Sequence, residues 1–226
     1  MKFIIDTRRN AEEIIANQIN KKLNKNEHVL WLVCGGSNIQ SESVIMKKIR
    51  EKSEEYLPHL TILPMDERYG APGHVDSNFK QMKDAHFEPG NAQWQDVLAR
   101  NLSLNETVNF YQNLIEKAFA NNTYSIGVFG LGADGHTAGV LPKTIAALQT
   151  KPNVVGYQSP PYIRMTLSPQ FLARVDTAFV LVYGDDKKEA LERLKKNTDT
   201  VDVLPSKLLY QIPEAYVYNN LIEQEE

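Results

Sequence analysis

The chain has 226 residues, 42% of them hydrophobic, and its 28 acidic and 25 basic side chains give a formal net charge of -3. That length buries a sizeable core, the charge balance leaves no basic footprint for nucleic acid, and no apolar run reaches the ~20 residues of a membrane span. The opening apolar run, Phe3-Ile4-Ile5, is too short for a signal peptide, and the single cysteine, Cys34, has no internal partner. A soluble, cytoplasmic protein is expected, and no linker-like stretch divides it, so residues 1–226 read as one domain.

Helical and strand patterns alternate along the chain, which predicts βαβ units and an α/β fold with a mostly parallel sheet flanked by helices. A helix from about Ala11 to Leu23 precedes a strand from Val29 to Val33, which ends in Cys34-Gly35-Gly36-Ser37. A second helix is expected over about Glu42–Tyr56, with Ile45, Ile49 and Tyr56 on one face. The strand Leu60–Leu63 runs into Met65-Asp66-Glu67-Arg68, and after a loop rich in Gly, Pro and Asp, Ser77-Asn78 leads a short helix. A helix over about Asn105–Ala120 feeds the strand Tyr124–Phe129. Arg164–Leu167, the apolar Ala178–Val182, a helix over about Asp186–Lys196, Leu204-Pro205-Ser206 and a strand Ala215–Tyr218 complete the chain.

Three successive strands end in polar, glycine-bearing or charged loops. In open α/β sheets ligands bind beyond the carboxyl ends of the strands, so these loops can converge on one ligand. The most informative loop is Gly130–Gly139, which places Asp134 and His136 in a flexible backbone at a strand end. Its Gly130, Gly132 and Gly135 match a dinucleotide fingerprint, but Pro142 interrupts the helix that should follow and no carboxylate stands near Val154–Tyr157. The NAD reading is therefore rejected.

His136 is the candidate acid/base group, because an imidazole exchanges protons near neutrality. Gly35-Gly36-Ser37 at a strand-to-helix turn is a seat for phosphate, against the alternative of a tight turn with Ser37 as a helix cap. Arg68, Arg164 and Lys187 stand where a phosphate-binding cation would serve, although Lys188 is an equal candidate for the exposed member of its pair. Asp66 and Glu67 are adjacent and point to opposite sides of an extended chain, so one faces the site and the other holds the loop or pairs with an arginine. Cys34, closing an apolar strand, reads as an inert small hydrophobe. No metal is expected, since an Asp-x-His pair without further ligands does not make a zinc site.

The runs CGGSN (34–38), MDERYG (65–70), DSNFKQM (76–82), GLGADGHTAGVLP (130–142), RMTLSPQFL (164–172), VYGDDKKEAL (182–191) and LPSKLL (204–209) occur in that order. Together they resemble the motif series of the 6-phosphogluconolactonases and their relatives the glucosamine-6-phosphate deaminases. Gly139 replaces the serine that ends the family's G-x-G-x-D-G-H-T-A-S signature. In the family's S-G-G-S-T-P loop, Cys34 replaces the first serine and Asn38-Ile39 replace Thr-Pro.

The resemblance implies a single α/β domain of the deaminase/ribose-5-phosphate-isomerase type that acts on a six-carbon sugar phosphate without metal or other cofactor. By that resemblance, His136 is the general base for hydrolysis of 6-phosphogluconolactone to 6-phosphogluconate in the pentose phosphate pathway. Asp134 and Asp66 orient the imidazole or bind sugar hydroxyls. Arg68, Arg164 and Lys187, with the Gly35–Ser37 loop, hold the phosphate, and amides around Gly132–Gly135 stabilise the oxyanion. The partner is then a small sugar phosphate, with neither nucleic acid nor membrane, and oligomeric state has no sequence signal. Two rivals remain. A deaminase or sugar-phosphate isomerase is disfavoured by Leu141, which stands where that branch of the family has a glutamate. A binding-only sensor is disfavoured by the retained histidine and the lack of room for a DNA-binding module before the first core strand.

Overall fold

The structure, a computed structural model, describes residues 1–222. Ten strands and six α-helices follow one another as β1 (Lys2–Ile5), α1 (Arg8–Leu23), β2 (Val29–Val33), α2 (Ile39–Ser53), β3 (Leu60–Pro64), β4 (Asp66–Arg68), α3 (Asn78–Asp84) and β5 (Gln93–Trp94). Then come α4 (Leu104–Asn121), β6 (Tyr124–Gly130), β7 (Val154–Ser159), β8 (Tyr162–Leu167), α5 (Pro169–Leu172), β9 (Thr177–Val182), α6 (Lys188–Lys196) and β10 (Glu214–Asn219). Seven strands form one sheet in the order β1-β10-β9-β6-β2-β3-β5, parallel throughout.

The central strand β2 shows why this sheet lies between two layers. All five of its residues are buried, and they alternate between two cores. Val29, Trp31 and Val33 join Ile15, Ile19, Ile45 and Ile49 of α1 and α2. Leu30 and Leu32 join Tyr111 and Ile115 of α4 on the opposite side. Period-2 alternation sends neighbours to opposite faces, and a strand covered on both faces reads as a continuous apolar run. Each such side chain contributes about 1.5–3 kcal/mol by leaving water.

The helices begin where local chemistry caps them. The Thr7 hydroxyl accepts from the Asn10 amide and starts α1 one turn earlier than the apolar pattern suggests. Ser103 and Glu106 form a reciprocal capping box on α4, which satisfies amides that have no intrahelical acceptor. α2 begins at Ile39 and ends at Ser53 rather than spanning Glu42–Tyr56. The Ser53 hydroxyl donates to Asn20 and Asn24 of the neighbouring helical region, and the chain tightens into a 3-10 turn over Glu54–His59.

A second sheet was not expected. β4, β8 and β7 form a three-stranded antiparallel sheet at the carboxyl end of the large one. Met65, the one residue between β3 and β4, joins the two sheets: its amide donates to Val33 of β2 and its carbonyl accepts from Leu167 of β8. The β7–β8 hairpin carries a cis Pro160-Pro161 peptide at its tip. No helix among the described residues is long and apolar enough to cross a membrane.

Candidate active site

β2 and β6 are neighbours in the large sheet, yet the chain leaves β2 toward β3 and leaves β6 toward β9. The loops that follow them therefore diverge, and a crevice opens at this switch point. A cavity of about 340 Å³ occupies it. Its lining includes Gly35, Gly36, Ser37, Asp66, Arg68, His136, Arg164 and Lys187, which is every expected site residue except Asp134. A wider groove of about 640 Å³ lies along α2, bounded by residues such as Lys47, Arg50 and His86, and none of the strand-end loops reaches it.

Asp134 stands behind the histidine. Its Oδ1 accepts from the His136 ring at Nδ1 (2.6 Å) and from the His136 amide (3.0 Å). These bonds, the imidazole's above all, hold the Asp134 carboxyl down at about 2, so it is an ionised acceptor at neutral pH. The neutral imidazole must then carry its hydrogen on Nδ1, which leaves a lone pair on Nε2.

The Gly130–Gly139 loop is wound on itself rather than opening a helix, which removes the dinucleotide reading. The Gly132 amide donates to the His136 carbonyl (2.8 Å) and the Gly135 amide to Gly132 (2.9 Å). Those two amides are consumed within the loop and do not serve as the oxyanion donors expected of Gly132–Gly135. Tyr157 of β7 donates to the Gly139 carbonyl and Thr166 of β8 to the Ala138 carbonyl, both at 2.6 Å. The loop is thereby tied to the small sheet.

Asp66 and Glu67 divide as their alternation requires. Asp66 lines the cavity, 3.8 Å from the Arg164 guanidinium. Burial raises its pKa, opposed first by Arg164, then by Arg68 and His136. It makes no hydrogen bond to the imidazole, so orientation of His136 falls to Asp134. Glu67 points away and is fully buried. It accepts from the amides of Arg68, Asn78 and Phe79 and from the Ser77 hydroxyl, seating the start of α3. Burial still carries its carboxyl up to about 7 against these amides.

The turn after β2 is glycine for steric reasons. A Cβ on Gly35 would sit 2.1 Å from Asn78 Oδ1, and Gly36 has φ +70°. Ser37 caps nothing: α2 has no side-chain cap and the Ser37 hydroxyl has no partner among the described residues. Lys187 lines the cavity and pairs with Asp186 at 2.8 Å, whereas Lys188 is exposed. Arg68 pairs with neither Asp66 nor Glu67 through its side chain; its guanidinium donates to the Asp76 carbonyl (3.1 Å). Cys34 is buried, and burial raises its thiol pKa well above the usual value. Among the described residues no group of three His, Cys, Asp or Glu side chains is placed to hold a metal ion.

Two cavity-side residues escaped the sequence reading. Glu42 of α2 is fully buried beneath the loop and accepts from the Cys34 amide (2.8 Å). Burial raises its pKa well above the usual value. The signal was legible, since Glu42 shares a helix face with Ile45, Met46 and Ile49, where a carboxylate has no apolar reason to be. Asn78 lines the cavity and donates to the Asp66 carbonyl, while its buried Oδ1 has no partner among the described residues. The sequence places it in the DSNFKQM run at the start of a short helix, without a role in the site.

Residues 6–217 match the family model described as glucosamine-6-phosphate isomerases/6-phosphogluconolactonase. The chain belongs to that family. A 6-phosphogluconolactonase of Helicobacter pylori strain J99 is 30% identical over 141 residues, covering 59% of this chain and 60% of the relative. One from Borreliella burgdorferi is 25% identical over 227 residues, covering 91% of this chain and 89% of the relative. The chain thus spans about 60% of the length of the Helicobacter relative it matches. Among solved structures, a monomeric glucosamine-6-phosphate deaminase superposes with TM-score 0.77 at 18% identity, covering 97% of both chains. A 6-phosphogluconolactonase from Shewanella baltica gives 0.74 at 18% identity, also over 97% of both. At these identities the superpositions establish the shared fold, a mostly parallel seven-stranded sheet flanked by helices.

Proposed function

We propose that this protein hydrolyses 6-phosphogluconolactone to 6-phosphogluconate, as one α/β domain whose first and last strands pair in a single sheet. The observation that carries the reading is the Asp134–His136 pair at the rim of a cavity that also holds Arg68, Arg164 and Lys187. Cations beside the turn of Gly35, Gly36 and Ser37 suit a phosphate, and the imidazole suits proton transfer at the far end of the substrate.

In this mechanism His136 Nε2 takes a proton from water, and the resulting hydroxide attacks the lactone carbonyl carbon. The tetrahedral intermediate collapses with cleavage of the bond from that carbon to the ring oxygen. The imidazolium returns its proton to the departing oxygen, leaving a hydroxyl and a carboxylic acid that ionises into solvent. Asp134, although half-exposed, keeps the imidazole in the reactive tautomer and balances its transient charge, the role a carboxylate has in hydrolytic triads. Asp66 binds sugar hydroxyls, while the phosphate anchor spends binding energy on placing the carbonyl.

The deaminase alternative needs an acid/base group where this chain has Leu141. That side chain packs against the core instead of lining the cavity, and Asp66 is the carboxylate in the lining. The deciding experiment measures turnover of fresh 6-phosphogluconolactone above its spontaneous rate, beside unphosphorylated gluconolactone and ammonia release from glucosamine 6-phosphate. Rapid hydrolysis of the phosphorylated lactone is expected, and His136→Ala should lower kcat by ~10²–10⁴-fold with little change in product affinity. Ammonia release with no lactone hydrolysis, or a folded His136→Ala protein of near wild-type activity, overturns the reading.

A further inference from the structure

The two arginines that face the cavity stand in an arrangement that ought to be costly. Arg68 of β4 and Arg164 of β8 are direct register partners on neighbouring antiparallel strands. Like charges placed opposite one another destabilise a sheet. Asp66 pairs with Arg164 at 3.8 Å and attracts Arg68 from farther away, while the Arg68 guanidinium donates its hydrogen bond to the Asp76 carbonyl. The Nε atoms of both arginines are buried and, among the described residues, have no hydrogen-bond partner.

A third side chain meets both. Tyr162 lies two residues before Arg164 on β8 and therefore on the same face of the strand. The Arg68 guanidinium carbon is 4.6 Å from the Tyr162 ring centroid and that of Arg164 is 5.3 Å away. Both distances fall within the range in which an aromatic face attracts a cation. The residue is absent from the cavity lining, and it meets the site through the two arginines.

An aromatic face holds a guanidinium differently from a carboxylate. A carboxylate takes two of the five N–H donors in the plane of the fork and cancels the charge. A ring attracts the cation through its quadrupole, uses none of the in-plane donors and leaves the charge intact. Two guanidiniums gathered on one ring thus remain a concentrated, donor-rich site for a doubly charged oxyanion. We propose that Tyr162 is a positioning residue that gathers Arg68 and Arg164 on its ring and so presets them for the phosphate of the substrate. The assignment rests on the reading above that these arginines bind phosphate.

The test uses the full chain with Tyr162→Leu and Tyr162→Phe. Tyr162→Leu should raise KM for 6-phosphogluconolactone by ~3–10-fold, the span of an exposed to a partly desolvated cation–π contact, with kcat and the KM for gluconolactone nearly unchanged. Tyr162→Phe keeps the ring and should behave as wild type. A second readout needs no substrate. In a ¹⁵N–¹H spectrum the Arg68 and Arg164 Nε–H resonances should be displaced by the ring current in wild type and Tyr162→Phe, and return toward ordinary arginine positions in Tyr162→Leu. Unmoved arginine resonances in Tyr162→Leu, or equal KM increases for both lactones, overturn the proposal. A wild-type protein with no preference for the phosphorylated lactone instead overturns the phosphate reading, and the spectrum then still decides whether Tyr162 holds the arginines.

Discussion

Gly139 is the position at which this chain departs from its family's signature, and the geometry there predicts a large effect for restoring the serine. Its φ is +69°, and a Cβ built on it would lie 2.5 Å from both the Cβ and Oδ2 of Asp66 and 2.7 Å from Cγ. The left-handed backbone costs an L-residue about 1–2 kcal/mol, and forcing a group into an occupied space costs about 1–3 kcal/mol. Gly139→Ser should therefore destabilise the protein by about 2–5 kcal/mol, a large part of an ordinary stability of about 5–15 kcal/mol. Asp66 lines the cavity and pairs with Arg164, so any shift that relieves the clash disturbs that pair or enters the cavity, and KM for the sugar phosphate should rise along with the loss of stability. Urea unfolding of wild type, Gly139→Ser and Gly139→Ala, with the slope compared to exclude a change of unfolded state, measures the effect. Gly139→Ala should show most of it, because the clash belongs to the Cβ and not to the hydroxyl. Variants within about 0.5 kcal/mol of wild type and with unchanged kinetics would refute the reasoning.

Two further outcomes are expected. Asp134→Asn replaces an acceptor-only carboxylate by an amide that can present its NH₂ to the imidazole, favour the tautomer with hydrogen on Nε2 and remove the lone pair used on water; kcat should fall by about 10²-fold or more, and a loss below twofold in steady-state assays rejects the tautomer argument. Glu42 has a pKa raised by burial in the folded protein, so the native state holds a proton that the unfolded chain releases above the usual carboxylate range, and this group's contribution to stability declines as pH rises through that range. Glu42→Gln lacks the decline, so its stability relative to wild type should improve between about pH 5 and pH 8; a difference in urea midpoint that does not vary with pH contradicts the assignment.

The large sheet was legible because its strands carry the simplest pattern a chain can have. Val29–Val33 and Ala178–Val182 are continuous apolar runs, and runs of that kind between helical patterns are the mark of a parallel sheet covered on both faces. The small sheet was not. Asp66-Glu67-Arg68 is wholly charged, and in β8 Tyr162, Ile163 and Arg164 are only partly buried, so neither strand shows the alternation of a half-buried surface. Their pairing is dictated by tertiary neighbours: Met65 joins β2 to β8, and Thr166 and Tyr157 hold the Gly130–Gly139 loop. Within the site, the positions of Asp66, Arg68, His136, Arg164 and Lys187 followed from strand ends, whereas the consumed amides of Gly132 and Gly135 depend on a loop closure that no local pattern encodes. Ala138, Gly139 and Gly135 all adopt positive φ there, and only the glycines announce it.

On the proposed function, the connection between β6 and β9 keeps the spacing between proton transfer and phosphate recognition. It contains His136 near its start and then the β7–β8 hairpin, whose second strand carries Arg164. A connection of that length would ordinarily let its two ends drift. Here the Gly139 and Ala138 carbonyls, three and two residues past His136, are bonded to β7 and β8, and Thr166 stands two residues past Arg164 on the same strand face. The small sheet also pairs through β4 with Arg68 and Asp66. His136, Asp66 and the Arg68–Arg164 pair are consequently fixed to one three-stranded unit, while the large sheet contributes the glycine turn and Lys187 from the ends of β2 and β9. A substrate bridging the two sheets gains orientation from both, which is the condition under which binding energy at a remote phosphate can be spent on the reacting carbonyl.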